Sequence, residues 1–322
     1  MQTRQLGHTD LELTTIGLGT WAIGGPNWEY GWGPQDDDEA IGAVLTALDK
    51  GINWIDTAAA YGLGHSEDLI GKTLKQTSQK PFIATKCSLR WDRKGQIINC
   101  LEGQSIREEC HASLKRLDID VIDLYQIHWP RPDKDIEQAW EEMAKLIEQG
   151  KTRYIGVSNA NLEQIKRMKK IHPVASLQPH YNMLHREVEN EVLGYCAENK
   201  IGVVAYSPME RGLLTGKFSQ ERLAALPLHD HRRRSPDFHE PQFSATLELV
   251  ERLRSIAERN GVSLAQLAIN WVLRRSEVTA AIVGARRPDQ ITETVQAANW
   301  TLVPEDIKEI EKLLTERQEK LK

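Results

Sequence analysis

Asn53-Trp54-Ile55-Asp56-Thr57-Ala58-Ala59-Ala60-Tyr61-Gly62 is the stretch whose reading decides the fold. Asn53 to Ile55 reads as the end of a short buried strand, and Asp56 places a carboxylate where that strand stops. A turn of small residues then delivers Tyr61 beside the carboxylate. In parallel α/β folds the loops beyond the strand C-termini carry the active site, so an acid and a phenol here suit proton-transfer chemistry. The plain alternative makes Asp56 a cap for the next turn and Tyr61 a half-buried core residue. The rest of the chain has to decide between them.

Working upstream, residues 3–15 hold two short runs around Gly7-His8-Thr9-Asp10, the pattern of a hairpin placed to close one end of the fold. Thr15 to Thr20 reads as a buried strand ending in glycine. Trp21 to Gln35 is rich in Gly, Trp and Pro and reads as a loop, with Trp21, Trp28, Tyr30 and Trp32 available to line a pocket. Asp36-Asp37-Asp38-Glu39 puts negative charge at a helix start, Ile41, Val44, Leu45 and Leu48 follow at helical spacing, and Gly51 ends the helix.

Downstream, strands and helices alternate. Ser66 is placed to cap a helix through about Leu74. Strands are expected over 82–86, 121–128, 154–159, 175–178, 202–207 and 279–284. Helices are expected over 104–117, 136–149, 162–170, 188–199, 243–260, 264–275, 288–297 and 305–318, with a long loop over 208–242. Counting from Ile16 there are about eight strands, each followed by at least one helix. Alternation of this kind implies βαβ units and a parallel sheet. Eight units in 322 residues favour a closed (β/α)₈ barrel with an N-terminal β-hairpin and additional C-terminal helices; a doubly wound sheet is the alternative. No Pro/Ser-rich linker divides residues 1–322, so the chain reads as a single domain.

Composition narrows the function classes. Hydrophobic residues make up 40% and charged residues 27%, an ordinary balance for a globular chain. A net charge of −5 gives no pull toward nucleic acid or anionic membrane. The polar N-terminus lacks the apolar run of a signal peptide, and no stretch approaches membrane-spanning length. Cys87, Cys100, Cys110 and Cys196 show no C-x-x-C spacing and read as reduced thiols, not a disulfide or a zinc site. A cytoplasmic protein without a metal is the expectation.

Asp56, Tyr61, Lys86 and His128 fall at or just beyond the ends of three consecutive strands, which in a barrel ring one mouth. A phenol is a weak acid, with an ordinary pKa of about 10. A nearby ammonium stabilises its anion and is expected to lower that value. A carboxylate can hold the lysine, and a neutral histidine can donate to a carbonyl oxygen. Ser158-Asn159 and Gln178 offer amide and hydroxyl partners, and Tyr206 could stack on a flat ring. Gly284-Ala285-Arg286-Arg287-Pro288 puts two arginines at a helix start, which suits a phosphate. Gly62-Leu63-Gly64-His65-Ser66-Glu67 resembles a dinucleotide fingerprint but ends in Glu and lies too far past its strand. His229-Asp230-His231-Arg232-Arg233-Arg234 reads as a solvated loop segment rather than a metal or nucleic-acid patch.

Together with 117–130, 150–159 and 282–286, the opening stretch resembles the aldo-keto reductase superfamily along nearly the whole chain. The resemblance implies a (β/α)₈ barrel that binds NADP(H) in an extended pose, with Asp56, Tyr61, Lys86 and His128 as the catalytic tetrad. By the same likeness Ser158, Asn159 and Gln178 hold the nicotinamide carboxamide and Tyr206 stacks on the ring. Ser207, Gly212, Leu213 and Gly216 follow the pyrophosphate. Gly284, Arg286, Gln290 and Glu293 surround the adenosine end, with Thr294 standing where many members have asparagine. Either Arg286 or Arg287 meets the 2′-phosphate. Trp21, Trp129 and Trp32 wall the substrate pocket. The implied activity is reversible reduction of a small aldehyde, ketone or sugar-like carbonyl compound. Gly212-Leu213-Leu214-Thr215-Gly216-Lys217 resembles the bacterial and plant branch related to potassium-channel β subunits, so an NADP(H)-sensing module is the rival reading. The sequence does not specify an oligomeric state.

Overall fold

The computed structural model describes residues 1–26 and 28–322; Asn27, within the loop expected over Trp21–Gln35, lies outside them. Eight strands form the barrel: β1 (Ile16–Gly19), β2 (Trp54–Asp56), β3 (Phe82–Cys87), β4 (Ile122–Ile127), β5 (Thr152–Ser158), β6 (Ser176–Gln178), β7 (Gly202–Tyr206) and β8 (Ala280–Gly284). Each pairs in parallel with its sequence neighbours, and β8 pairs with β1 to close the ring. The (β/α)₈ barrel expected from the alternation is therefore the fold. These strands are short and mostly buried along their whole length, as strands covered on both faces must be.

Helices α1 (Asp37–Asp49), α2 (His65–Leu74), α3 (Gly103–Leu117), α4 (Ile136–Glu148), α5 (Leu162–Lys169) and α6 (Val192–Glu198) follow the first six strands in turn. Asp36 caps α1 by accepting from the Glu39 N–H, with three further acids in the first turn. Ala40, Ala43, Val44, Ala47 and Leu48 form its inward stripe. The connection after β7 is long and includes the short helix α7 (Gln220–Ala224). It leads into α8 (Gln242–Arg259) and α9 (Leu264–Leu273) before the last strand, and α10 (Pro288–Thr294) and α11 (Pro304–Lys320) end the chain. Among the described residues no helix is long and apolar enough to cross a membrane.

The N-terminal hairpin pairs Thr3–Gln5 with Glu12–Thr14. It brings Leu6, Leu11 and Leu13 against Trp54, Ala84, Leu124, Ala175, Val204 and Ala280, residues of the barrel interior. The hairpin is therefore a plug for the N-terminal end, leaving the C-terminal end as the open mouth. The Trp54 indole N–H donates to the Thr14 carbonyl at 2.9 Å. Its ring occupies the space where a side chain on Gly17 would stand: a Cβ there would lie 2.0 Å from the ring.

Several local expectations differ. Ser66 does not cap α2; Gly64, at φ 103°, does, and the buried Ser66 hydroxyl bonds Thr20 Oγ1 at 2.8 Å and Thr57 Oγ1 at 3.1 Å. A second hairpin, Leu89–Trp91 with Ile97–Asn99, follows β3. Its strands are too short for an alternating pattern, and its turn is set by Asp92, whose carboxylate accepts from the Lys94 and Gln96 N–H groups. The helix expected over 188–199 begins later, because Glu189 lies in a preceding 3₁₀ turn and accepts from Tyr181, Arg186 and Arg274.

Because Leu11 is 1% exposed inside the plug, Leu11→Ala should cost about 2–5 kcal/mol of unfolding free energy, read as a lower denaturant midpoint. A change under about 0.5 kcal/mol would mean the hairpin does not seal the barrel.

Candidate active site

Asp56 ends β2, Tyr61 follows in the turn, Lys86 lies near the end of β3 and His128 follows β4. Parallel registry of β2, β3 and β4 puts these ends side by side. The Lys86 ammonium donates to Asp56 Oδ1 at 2.6 Å, to the Thr57 carbonyl at 2.9 Å and to the Tyr61 hydroxyl at 3.2 Å. Asp56 Oδ2 accepts from the Gln178 amide at 2.8 Å. Tyr61 is held by aromatic neighbours: Trp21 lies stacked at 6.5 Å between centroids, Trp28 tilted at 6.1 Å and His128 edge-on at 5.6 Å. The turn depends on Gly62, at φ 62°, where a Cβ would fall 1.9 Å from the Gly24 carbonyl oxygen.

The electrostatics depart from the sequence expectation. Burial, followed by the Asp56 carboxylate, pushes the Tyr61 phenol well above its ordinary range rather than below it. The physical reason is that Lys86 is already paired: Asp56 sits closer to its ammonium than the phenol does and cancels much of its field. Burial also lowers the Lys86 pKa, opposed by Asp56. His128 is pushed well below the ordinary histidine value, first by burial and then by Lys86. The resting centre is thus a protonated phenol, a buried ion pair and a neutral imidazole.

A cleft of about 800 Å³ runs from this centre across the mouth of the barrel. Trp21, Trp28, Tyr30, Trp32, Trp129 and His231 wall one part of it, and Ser158, Asn159, Gln178, Tyr206, Ser207 and Gly212 line the next. Gly284, Arg286, Gln290, Glu293 and Thr294 line a further part, where Arg286 bonds the Trp32–Gln35 segment. The middle residues are wired together. Ser158 Oγ donates to the Gln178 carbonyl at 2.8 Å, Asn159 Nδ2 to the His128 carbonyl at 3.0 Å, and the Tyr206 hydroxyl to Asn159 Oδ1 at 2.8 Å. Two of the residues assigned to the pyrophosphate do not line the cleft. Leu213 is fully buried in an apolar cluster with Phe218, Phe238 and Phe243, and the Gly216 position faces Leu264. Arg286 is half-buried and donates to Gln35 Oε1 at 2.6 Å and to the Pro34 carbonyl, whereas the exposed Arg287 pairs with Asp289 at 3.1 Å.

The segment expected to be a solvated loop is instead part of the wall. Asp230 is fully buried and accepts two bonds from the side chain of Arg232, whose guanidinium lies over Trp32 at 4.5 Å. His231 packs 5.3 Å from both Trp21 and Tyr30. Burial, then Arg211 and Arg234, lowers its pKa to about 4. Runs of His and Arg usually stay in water, so their type gave no signal; the tryptophans opposite are what draw them in. His180 and Arg131 also line the cleft and were not singled out by any motif.

The cleft fits an extended dinucleotide. A Cβ on Gly284 would meet only the Gly19 carbonyl, at 3.9 Å, so the backbone there is open to a close ligand. Two polar atoms of its walls, Trp32 Nε1 and His231 Nδ1, are buried without a hydrogen-bond partner. The polar side chains of Ser158, Asn159 and Gln178, the Tyr206 ring and the Arg286 guanidinium all line this one cleft.

Comparison with known proteins gives the family. Residues 15–315 match the model of the Aldo/keto reductase family. The chain belongs to that family. It is 40% identical to "Aldo-keto reductase YhdN" of Bacillus subtilis over 317 residues, covering 98% of this chain and 94% of that one. It is 35% identical to "NADH-specific methylglyoxal reductase" of Escherichia coli, covering 95% and 96%. Among solved structures, the glycerol dehydrogenase AKR11B4 from Gluconobacter oxydans superposes with a TM-score of 0.89 at 36% identity, covering 98% of this chain and 96% of that one.

The depressed His128 pKa has a thermodynamic consequence. Below about pH 6.5 the unfolded chain binds a proton at this histidine that the folded chain refuses, so stability falls as pH drops, by up to about 1.4 kcal/mol per pH unit. The loss should begin near pH 6.5 and be smaller in His128→Gln, measured by denaturation at a series of pH values. Equal pH slopes for the two proteins would mean that His128 takes up its proton in the folded state.

Proposed function

We propose that this protein is a nicotinamide-dependent carbonyl reductase acting on small aldehydes, ketones or sugar-like substrates, with Tyr61 as proton donor and NADPH as preferred reductant. The observation that carries this reading is the Lys86 ammonium 2.6 Å from Asp56 and 3.2 Å from the Tyr61 hydroxyl at the floor of the cleft. Ser158, Asn159 and Tyr206 would hold a nicotinamide, which would supply the hydride when bound. Tyr61 gives its proton to the carbonyl oxygen as negative charge develops there. The raised phenol pKa does not oppose this, since an alkoxide is a far stronger base than a phenolate. Lys86 stabilises the phenolate that remains, and Asp56 keeps the ammonium in place. Neutral His128 donates to the carbonyl oxygen and orients it. Trp21, Trp28, Tyr30 and Trp129 exclude water around the reacting centre. The relatives' names, a methylglyoxal reductase and a glycerol dehydrogenase, support small oxygenated substrates.

Cofactor choice is the point on which relatives differ, one of them being named NADH-specific. NADPH is favoured here by the positive charge around Arg286 in the cleft. Arg286 has hydrogen-bond partners that are carbonyl and amide oxygens rather than carboxylates. Arg222 and Arg232 also line the cleft, beside Lys217, which pairs with Glu293 at 2.8 Å. Arg286→Ala should weaken NADPH binding roughly ten- to hundredfold and leave NADH binding nearly unchanged, by fluorescence titration. Equal NADPH affinity in both proteins would remove Arg286 from the 2′-phosphate site.

The activity itself is tested by following NADPH and NADH oxidation with methylglyoxal, glyceraldehyde and aromatic aldehydes. Tyr61→Phe should lower kcat by about 10²–10⁴ while binding NADPH normally. Lys86→Met should also cripple turnover. Near-normal turnover by Tyr61→Phe would return Tyr61 to a packing role. Tight NADPH binding by the wild type without turnover of any carbonyl would favour a sensing module.

A further inference from the structure

Tyr206 ends β7 with its ring on the cleft, and behind it stands a column of flat side chains. His180, two residues beyond β6, lies parallel to Tyr206 with 5.0 Å between centroids and 4° between planes. His185 stacks on His180 in turn, at 4.2 Å and 25°. The backbone supports this alignment: His180 bridges to Tyr206, and the Tyr206 N–H donates to the Pro179 carbonyl at 3.0 Å.

One carboxylate fixes the column. Glu210 is fully buried. Its Oε2 pairs with His180 Nε2 at 2.6 Å and accepts from Asn182 Nδ2 at 2.8 Å, while its Oε1 accepts from Arg211. His185 Nε2 pairs with Asp237 Oδ2 at 3.1 Å, and Arg211 reaches the same oxygen at 3.1 Å. His180, His185 and Glu210 bring their ligand atoms within 4.8 Å of one another, a spacing compatible with a metal ion. However, Arg211 already supplies positive charge to both carboxylates, and both imidazoles are engaged with them. The cluster is a hydrogen-bonded clamp on two rings.

Tyr206 remains partly accessible and lines the cleft, as His180 and His185 also do, and since His180 covers one face of its ring the other is left for a ligand. We propose that His180, anchored by Glu210, is a positioning residue for the nicotinamide ring, backing Tyr206 so that its open face is a rigid stacking platform. This rests on the nicotinamide reading above. A tyrosine fixed at its hydroxyl by Asn159 but free behind could tilt about that end. With His180 behind it, the ring keeps one plane, and the ordering of the platform does not have to accompany cofactor binding.

The test compares ligands that differ only by the nicotinamide: NADP⁺ with 2′-phospho-ADP-ribose, and NAD⁺ with ADP-ribose, each titrated calorimetrically. His180→Ala should bind NADP⁺ and NAD⁺ roughly two- to tenfold more weakly, the size expected for loss of an aromatic stack, and bind the two nicotinamide-free ligands like the wild type. His180→Gln, which keeps a donor for Glu210 without an aromatic ring, should show the same selective loss, and it decides the matter if His180→Ala does not fold. Equal weakening of both members of a pair, or of neither, would overturn the inference while leaving the cofactor reading intact. A wild type that binds none of the four would overturn both.

Discussion

Two opposite charges, Lys86 and Asp56, meet 2.6 Å apart where almost no solvent reaches either. Taking both out of water is costly, and their attraction offsets that cost only when the remaining donors and acceptors are also satisfied. The barrel supplies those partners from separate strands. The Thr57 carbonyl and the Tyr61 hydroxyl take the other ammonium protons, and Gln178 of β6 reaches across to Asp56 Oδ2. An open sheet would not bring the end of β6 to the end of β2. The ion pair therefore depends on the closed barrel, and the site inherits its geometry from it.

Over this floor two connections form a roof. The residues after β1 and those after β7 meet where Arg232 lies between Trp32 and Phe218, at 4.5 and 5.5 Å. The His231 N–H donates to the Gly31 carbonyl at 2.9 Å, and Arg286 holds the Trp32–Gln35 segment from the β8 side. Cationic side chains here act partly as packing elements, spreading their flat faces on aromatic rings. That use makes the same arginines line the cleft that phosphate groups are proposed to occupy.

How much of this was legible in the sequence follows from the range of the forces involved. Strand ends are marked locally: Ile55-Asp56 and Ile127-His128 pass from apolar to chemically active residues, Lys86 closes the run begun by Phe82-Ile83-Ala84, and parallel registry brings the three ends together. The barrel was legible because alternation repeats over the whole chain. The Leu89–Asn99 hairpin was not, since three-residue strands leave no period to read. Ser66 has the residue type of a helix cap, yet two threonines from other segments claim its hydroxyl. Asp230 and His231 look like surface residues until Arg232, Trp21 and Tyr30 are seen around them. The direction of the Tyr61 shift differs from the sequence expectation for a related reason. The ammonium was visible in the sequence, but its distance to Asp56 relative to the phenol was not.

The most direct probe of this centre is the protonation state of the Tyr61 hydroxyl. Tyrosine labelled with ¹³C at Cζ reports it by NMR, with Tyr61→Phe identifying its signal among the 7 tyrosines. With Asp56 neutralising Lys86, Tyr61 should stay a neutral phenol throughout a titration to pH 10, and Lys86→Met should leave it neutral over the same range. A wild-type signal that titrates near or below neutral pH would contradict this, because it would mean that the Lys86 ammonium, and not the Lys86–Asp56 pair, governs the phenol.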